Sequence, residues 1–151
     1  MSLLQNSDEY YMRLAFAEAK QAETEDEVPI GAVIVANGKV IGKGYNQTER
    51  LNDVTAHAEM LAITAAANYL DAKFLESCTL YVTLEPCPMC AAALRWARIG
   101  KIVYAASDEK FGYSTISPKL LHPKTEVQTG LLQHECASLM TNFFKGKRIP
   151  K

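Results

Sequence analysis

Two short stretches of the chain carry side chains that could do chemistry together. In "TLEPCPMC", Thr83 to Cys90, the thiols of Cys87 and Cys90 stand three positions apart with a proline on each side of Cys87. In "TAHAE", His57 and Glu59 stand two positions apart, and His57 precedes Cys87 by thirty positions. A CxxC alone has three ordinary readings: a redox dithiol, half of a structural zinc site, or part of a catalytic zinc site. A lone histidine is commonly a satisfied surface or core residue, and a glutamate in a first helical turn commonly complements the helix dipole. The combination changes the balance. His57, Cys87 and Cys90 offer one imidazole and two thiolates, three donors of the kind zinc prefers and one fewer than a closed structural tetrahedron. Of the possible fourth ligands, Cys78, His122 and His134 each lie outside both stretches.

Both stretches fall where a helix is expected to begin, and the positive end of a helix dipole stabilises thiolate over thiol. Zn²⁺ with two thiolates and a neutral imidazole has no net charge, and its open position admits water whose pKa falls toward about 7. A carboxylate two residues after a ligand histidine sits close enough to exchange that proton without coordinating. Glu59 is the candidate proton shuttle.

The elements that must place these groups alternate between helix and strand. Tyr11, Leu14, Ala15, Ala19 and Ala22 recur at helical spacing, and "ETEDE" followed by Pro29 ends that segment. "IGAVIVANGKVIGKGYN" reads as two strands joined at Asn37-Gly38, a dipeptide suited to a two-residue hairpin because both residues tolerate positive φ. Thr55 to Leu70 is an alanine-rich helix, "CTLYVTL" and "KIVYAA" are strands, and Pro88 to Arg98 is the helix between them, which implies a parallel crossover. A last helix carries Leu132, Cys136, Leu139 and Phe143 on one face. The stretch 107–125 has no clear periodicity, and long loops of that kind are often functional.

With 151 residues, 48% of them hydrophobic, residues 1–151 are expected to form one domain with its own core. No apolar run is long enough to span a bilayer and the N-terminus lacks the order of a signal peptide, so no membrane partner and a cytoplasmic location are expected. Four cysteines in such a chain do not suggest a disulfide framework. The net charge of −1 gives no global attraction to nucleic acid, so any such partner must be held by a local basic surface. The candidates are Arg95 and Arg98, and Lys145, Lys147, Arg148 and Lys151 at the C-terminus.

His57-Ala58-Glu59 followed by Pro86-Cys87-Pro88-Met89-Cys90 resembles the H-x-E, P-C-x-x-C signature of the zinc-dependent nucleobase deaminases. Together with "EVPIGAVIV", "GYN", "LYVTLEPCPMC" and "RIGKIVYAASDEK", it is similar to the bacterial tRNA-specific adenosine deaminases of the cytidine/deoxycytidylate deaminase superfamily, from about Tyr10 to Lys110 and again in "HECASLMTNFFKGKR". The resemblance implies an α/β fold, the three-layer α/β/α cytidine deaminase-like arrangement with a mixed five-stranded sheet. It implies one Zn²⁺ per chain on His57, Cys87 and Cys90, with Glu59 as general acid/base and Asn46, Ala58 and Pro86 at the substrate. It further implies hydrolytic deamination of adenosine to inosine at the wobble position, 34, in a tRNA anticodon stem-loop, by a homodimer whose subunits together hold the RNA.

One segment departs from the pattern. Many members continue past Asp-x-Lys with a small-residue G-x-x-G-S stretch, where this chain has the shorter "FGYSTISPKLLHPKTEVQTG". Two other readings therefore stand beside the first: a deaminase of a free base or nucleoside such as guanine or cytosine, which "EPCPMC" with "RWAR" also resembles, and a non-catalytic zinc or RNA-binding module.

Overall fold

The structure, a computed structural model, describes residues 7–147, so Arg148 and Lys151 lie outside the described residues. Helix α1, Asp8–Thr24, starts at Ser7, whose hydroxyl accepts the Tyr10 N–H at 3.1 Å, with Asp8 and Glu9 in the first turn where a negative charge complements the dipole. It buries Tyr11, Met12, Ala15, Ala19 and Ala22, the face the spacing predicts apart from Leu14, which is half-buried while Met12 is fully buried. Strands β1, Gly31–Ala36, and β2, Lys39–Tyr45, pair antiparallel with Ala36 opposite Lys39, so Asn37 and Gly38 alone form the loop. Their φ values of 51° and 72° are the left-handed pair that this hairpin requires.

Helix α2 runs Ala58–Leu70, three residues shorter at its start than the sequence pattern predicts. Its delay has a local cause: the Asp53 carboxylate accepts both the Thr55 N–H at 2.8 Å and the Thr55 hydroxyl at 2.7 Å, holding the chain in a turn. Strand β3, Thr79–Leu84, helix α3, Pro88–Ala97, and strand β4, Lys101–Ala106, form the parallel crossover. Pro88 at the first position suits the helix start, and Arg98 ends α3 at φ 56°. A second crossover then brings β5, Glu126–Thr129, parallel to β4, and α4, Gln133–Lys147, closes the chain. Leu132, with φ 58°, falls before α4 rather than on its apolar face, where Cys136 and Leu139 are buried.

The five strands form one mixed sheet in the order β2-β1-β3-β4-β5. Alternation along the strands divides the core. Ala32, Ile34, Leu80, Val82 and Ile102 face α2 and α3, whereas Val33, Val35, Tyr81 and Val103 face α1 and Cys136 of α4. The result is the three-layer α/β/α arrangement. Helix α2 lies unusually close to the sheet because β2 presents glycine to it: a Cβ on Gly44 would stand 2.6 Å from the Ala58 carbonyl oxygen, and one on Gly42 would stand 2.6 Å from that of Ala62. The start of α2, with His57 and Glu59, is thereby fixed against the sheet. No helix among the described residues is long and apolar enough to cross a membrane.

Candidate active site

His57 and Cys87 occupy equivalent places, each the extended residue just before a helix, with ψ 155° and 168°. Neither side chain caps its own helix. Their carbonyls begin the helices instead, accepting from Leu61 N–H at 3.1 Å and Ala91 N–H at 2.8 Å. The side chains are left to meet. His57 Nδ1 lies 3.6 Å from Cys87 Sγ and 3.4 Å from Cys90 Sγ, and all three donor atoms lie within 4.8 Å of one another. Among the described residues this is the one such cluster of metal-binding side chains; Cys78 and Cys136 are buried elsewhere, and His122 Nδ1 accepts the Lys124 N–H.

The distances test whether the donor set fits a metal. Zinc–sulfur and zinc–nitrogen bonds of ordinary length, meeting at the tetrahedral angle, place N and S about 3.6 Å apart. The observed separations match that edge. The protonation of the two thiols leads to the same conclusion. A hydrogen bond from Cys90 is the main reason that Cys87 falls to about 4, with His57 adding to it, while Cys90, buried and donating to that thiolate, is pushed well above the usual thiol range. Without a cation the two sulfurs would share one proton, and His57 is raised chiefly by its bond to Cys87. A divalent cation fits the place of that proton, since it would neutralise both thiolates at once.

Glu59 lies on the first turn of α2 and is 4% exposed. Burial pushes its carboxyl up to about 7, against the opposing hydrogen bond of its own backbone N–H. It therefore exchanges a proton readily near neutral pH. His57, Glu59 and Cys87 line a cavity of about 1020 Å³ at the carboxyl ends of β3 and β4. Asn46, at the end of β2, is buried, lines the same cavity, and has its N–H on the Ile30 carbonyl at 3.1 Å. Ala58 and Pro86 are buried beside Glu59 and Cys87 and do not contribute to the cavity wall.

The sequence marks 107–125 as a long loop of a kind that is often functional, but it does not show which of its residues line the cavity or that α4 does so. Ser107 to Phe111 form one side, and Met140 and Phe144 of α4 reach across from another. Glu85, 3% exposed, holds the first of these, and the available signal was an acidic residue directly after a buried strand. The basic residues of α3 do not face the cavity. Arg95 Nη1 donates to the carbonyls of Lys119 and Leu121 at 3.0 and 2.8 Å, and Arg98 stacks 4.1 Å over the Phe74 ring beside Glu76. Lys147 pairs with Asp26.

Residues 5–106 match the model of the cytidine and deoxycytidylate deaminase zinc-binding region. The tRNA-specific adenosine deaminase of Bacillus subtilis is 46% identical over 149 residues, which is 95% of this chain and 92% of that protein. A solved structure from work on A-to-I editing by tRNA:A34 deaminases at the wobble position is 45% identical, covers 86% of this chain and 98% of its own, and superposes with a TM-score of 0.80. A guanine deaminase from Nitrosomonas europaea superposes almost as well, with a TM-score of 0.79 over 89% of this chain and 83% of its own, at only 25% identity. Backbone shape is shared by the two neighbours, and identity separates them. The chain belongs to the zinc-binding cytidine and deoxycytidylate deaminase family, on the branch of the tRNA-specific adenosine deaminases.

Proposed function

We propose that the chain hydrolyses adenosine to inosine, with release of ammonia, at the wobble position, 34, of a tRNA anticodon loop. The observation that carries the reading is the His57, Cys87 and Cys90 cluster with buried Glu59 beside it at the floor of an open cavity. High identity to tRNA-acting relatives over almost the whole chain supports the substrate.

His57, Cys87 and Cys90 would hold one zinc ion. Zinc so held supplies a Lewis acid, the chemistry that makes water a competent nucleophile near neutral pH. Glu59 moves the protons. Its carboxylate takes one from the attacking water as oxygen bonds to C6 of the base, and its carboxyl gives one to ring N1. It then takes the remaining proton from the new C6 hydroxyl and delivers it to the exocyclic nitrogen, so that C6=O forms, the C6–N bond breaks and ammonia leaves. Burial matters for this role, because a carboxyl titrating at about 7 is neither a poor base nor a poor acid at neutral pH. Asn46 offers an amide to the edge of the base, while Ala58 and Pro86, buried behind the cavity wall, support Glu59 and Cys87 rather than touch the base. The target base must leave its stack to reach the floor, which is easier in a single-stranded loop than in a duplex.

The mouth of the cavity suits RNA better than a free base. Phe111 is 69% exposed and Phe144 39%, so both offer aromatic surface to neighbouring bases, and Lys110 beside them offers a cation to phosphate. The homodimer of this reading would cover exposed apolar side chains such as Trp96 and Val54, 80% and 84% exposed. A tRNA substrate supports a cytoplasmic location for the enzyme. The test incubates zinc-loaded protein with an anticodon stem-loop carrying A34 and, separately, with guanine, cytosine and adenosine, and measures ammonia and inosine. Inosine in the stem-loop is expected. Turnover of guanine or cytosine with none of the stem-loop would give the chain a free-base activity instead.

A further inference from the structure

Glu85 is a buried carboxylate with no place in the proton transfers above, yet it is the centre of the turn that forms one cavity wall. Oε1 accepts the Asp108 N–H at 3.0 Å, and Oε2 accepts the Ser114 N–H at 3.0 Å and the Ser114 hydroxyl at 2.6 Å. Main-chain bonds on either side complete the attachment: Glu85 N–H donates to Ala106 O at 2.8 Å, and Tyr113 N–H donates to Pro86 O at 2.8 Å. Within the turn, Asp108 Oδ1 accepts the N–H groups of Lys110 and Phe111 at 3.1 and 3.0 Å, and Gly112 N–H reaches Asp108 O at 3.0 Å. Gly112 is required by the closeness of this packing. A Cβ there would stand 2.3 Å from the Glu85 carboxyl carbon and 2.4 Å from Oε2.

We infer that Glu85 is a positioning residue for substrate recognition: its carboxylate fixes the 107–114 turn so that Asp108 to Phe111 present a preformed wall to the nucleotides flanking the reacting base. The wall needs such a device. Lys110 and Phe111 are exposed side chains on a turn with no ladder of its own, and a turn that must be ordered at binding weakens affinity by the cost of ordering it. Glu85 removes that cost beforehand. It also ties the wall to the floor, because the residue that organises the turn is separated from Cys87 only by Pro86.

The inference rests on the stem-loop reading, and the experiment separates the two. Glu85→Gln keeps size but sets an amide NH₂ against at least one N–H donor, and Gly112→Ala forces the turn away from the carboxylate. In each variant KM for the A34 stem-loop should rise about tenfold, the scale of one hydrogen bond to a charged group, with kcat changed less than about threefold and zinc content unchanged. The double variant should be no worse than the poorer single one, since both break one contact. Hydrogen exchange should show lost protection at the amides of Asp108 and Ser114, with the α3 amides still protected. Ser114→Ala, a milder change, should raise KM about threefold and decides the matter if Glu85→Gln does not fold. Unchanged KM and unchanged exchange at 108 and 114 would overturn the inference, as would a fall in zinc content with kcat, which would make Glu85 a support of the metal strand alone. A wild-type protein that ignores the stem-loop would overturn the substrate reading, and the exchange result would still decide whether Glu85 orders the turn.

Discussion

The floor and the mouth of the cavity are built by different means. At the floor, His57 and Cys87 each stand at the start of a helix, and Cys90 follows one turn later, so three donors converge because two helices begin at the same end of one sheet. At the mouth, the wall from Ser107 to Phe111 belongs to no helix or strand, and its shape depends on one carboxylate accepting hydrogen bonds from residues 23 and 29 positions away. Elsewhere in the fold, buried Glu27 does similar work, accepting the N–H groups of Glu49 and Arg50 at 3.2 and 2.7 Å and so shaping the chain that leaves Asn46. Chemistry is thus fixed by regular structure, while the surfaces that meet the substrate's surroundings hang from two buried glutamates. A family built in this way can keep its reaction while changing its substrate, because the mouth can vary without moving the floor.

Breaking the floor should have the largest effect. Cys87→Ala removes a ligand for which no other described donor stands near enough to substitute. Metal analysis should fall from about one zinc per chain to none and ammonia release should cease. The fold should lose stability as well, because metal binding is coupled to folding. Zinc retained at full stoichiometry would show that the floor does not depend on Cys87.

Moving the floor without touching its ligands should have a smaller effect. Gly44→Ala places a methyl group 2.6 Å from the Ala58 carbonyl and must push the start of α2 off the sheet. Overpacking of this kind costs about 1–3 kcal/mol, which denaturant unfolding would register, and turnover should fall with it because Glu59 rides on the same turn. A variant that loses stability but keeps full turnover would show that α2 carries its catalytic end more flexibly than the packing implies.

The smallest effect is expected at Arg95. Its guanidinium already donates to two carbonyls of the 119–121 turn, so Arg95→Ala should lower stability by no more than about 1 kcal/mol and leave stem-loop affinity and its salt slope unaltered. A reduced salt slope would mean that Arg95 contacts phosphate despite those bonds.

This contrast also explains what could be read from the residues. The hairpin at Asn37-Gly38, the parallel unit of β3, α3 and β4, and the cluster of His57, Cys87 and Cys90 all follow from local rules: turn chemistry, strand alternation, and donor types at helix starts. Strand β5 did not show as a periodic run because all four of its residues are exposed, so no apolar alternation marks it. The roles of Glu85 and Glu27 were hidden for another reason. A buried carboxylate is recognised by the distant N–H groups it accepts, and nothing adjacent in sequence announces them. Arg95 and Arg98 show the same limit from the opposite side, since basic residues beside a zinc helix read as RNA contacts until their carbonyl, ring and carboxylate partners are seen.

The central claim is that metal binding and proton transfer reside in different residues of one floor, and Glu59→Gln tests it most directly. The variant keeps the size of a buried side chain and leaves all three donors in place, but it cannot take up and return a proton. Zinc content and inosine formation on the A34 stem-loop would be measured on the same preparation. The account predicts full zinc with turnover lower by at least ~10²–10⁴-fold, the usual loss for a general acid/base. Full zinc with near-normal turnover would contradict it, and the proton would have to move through another group.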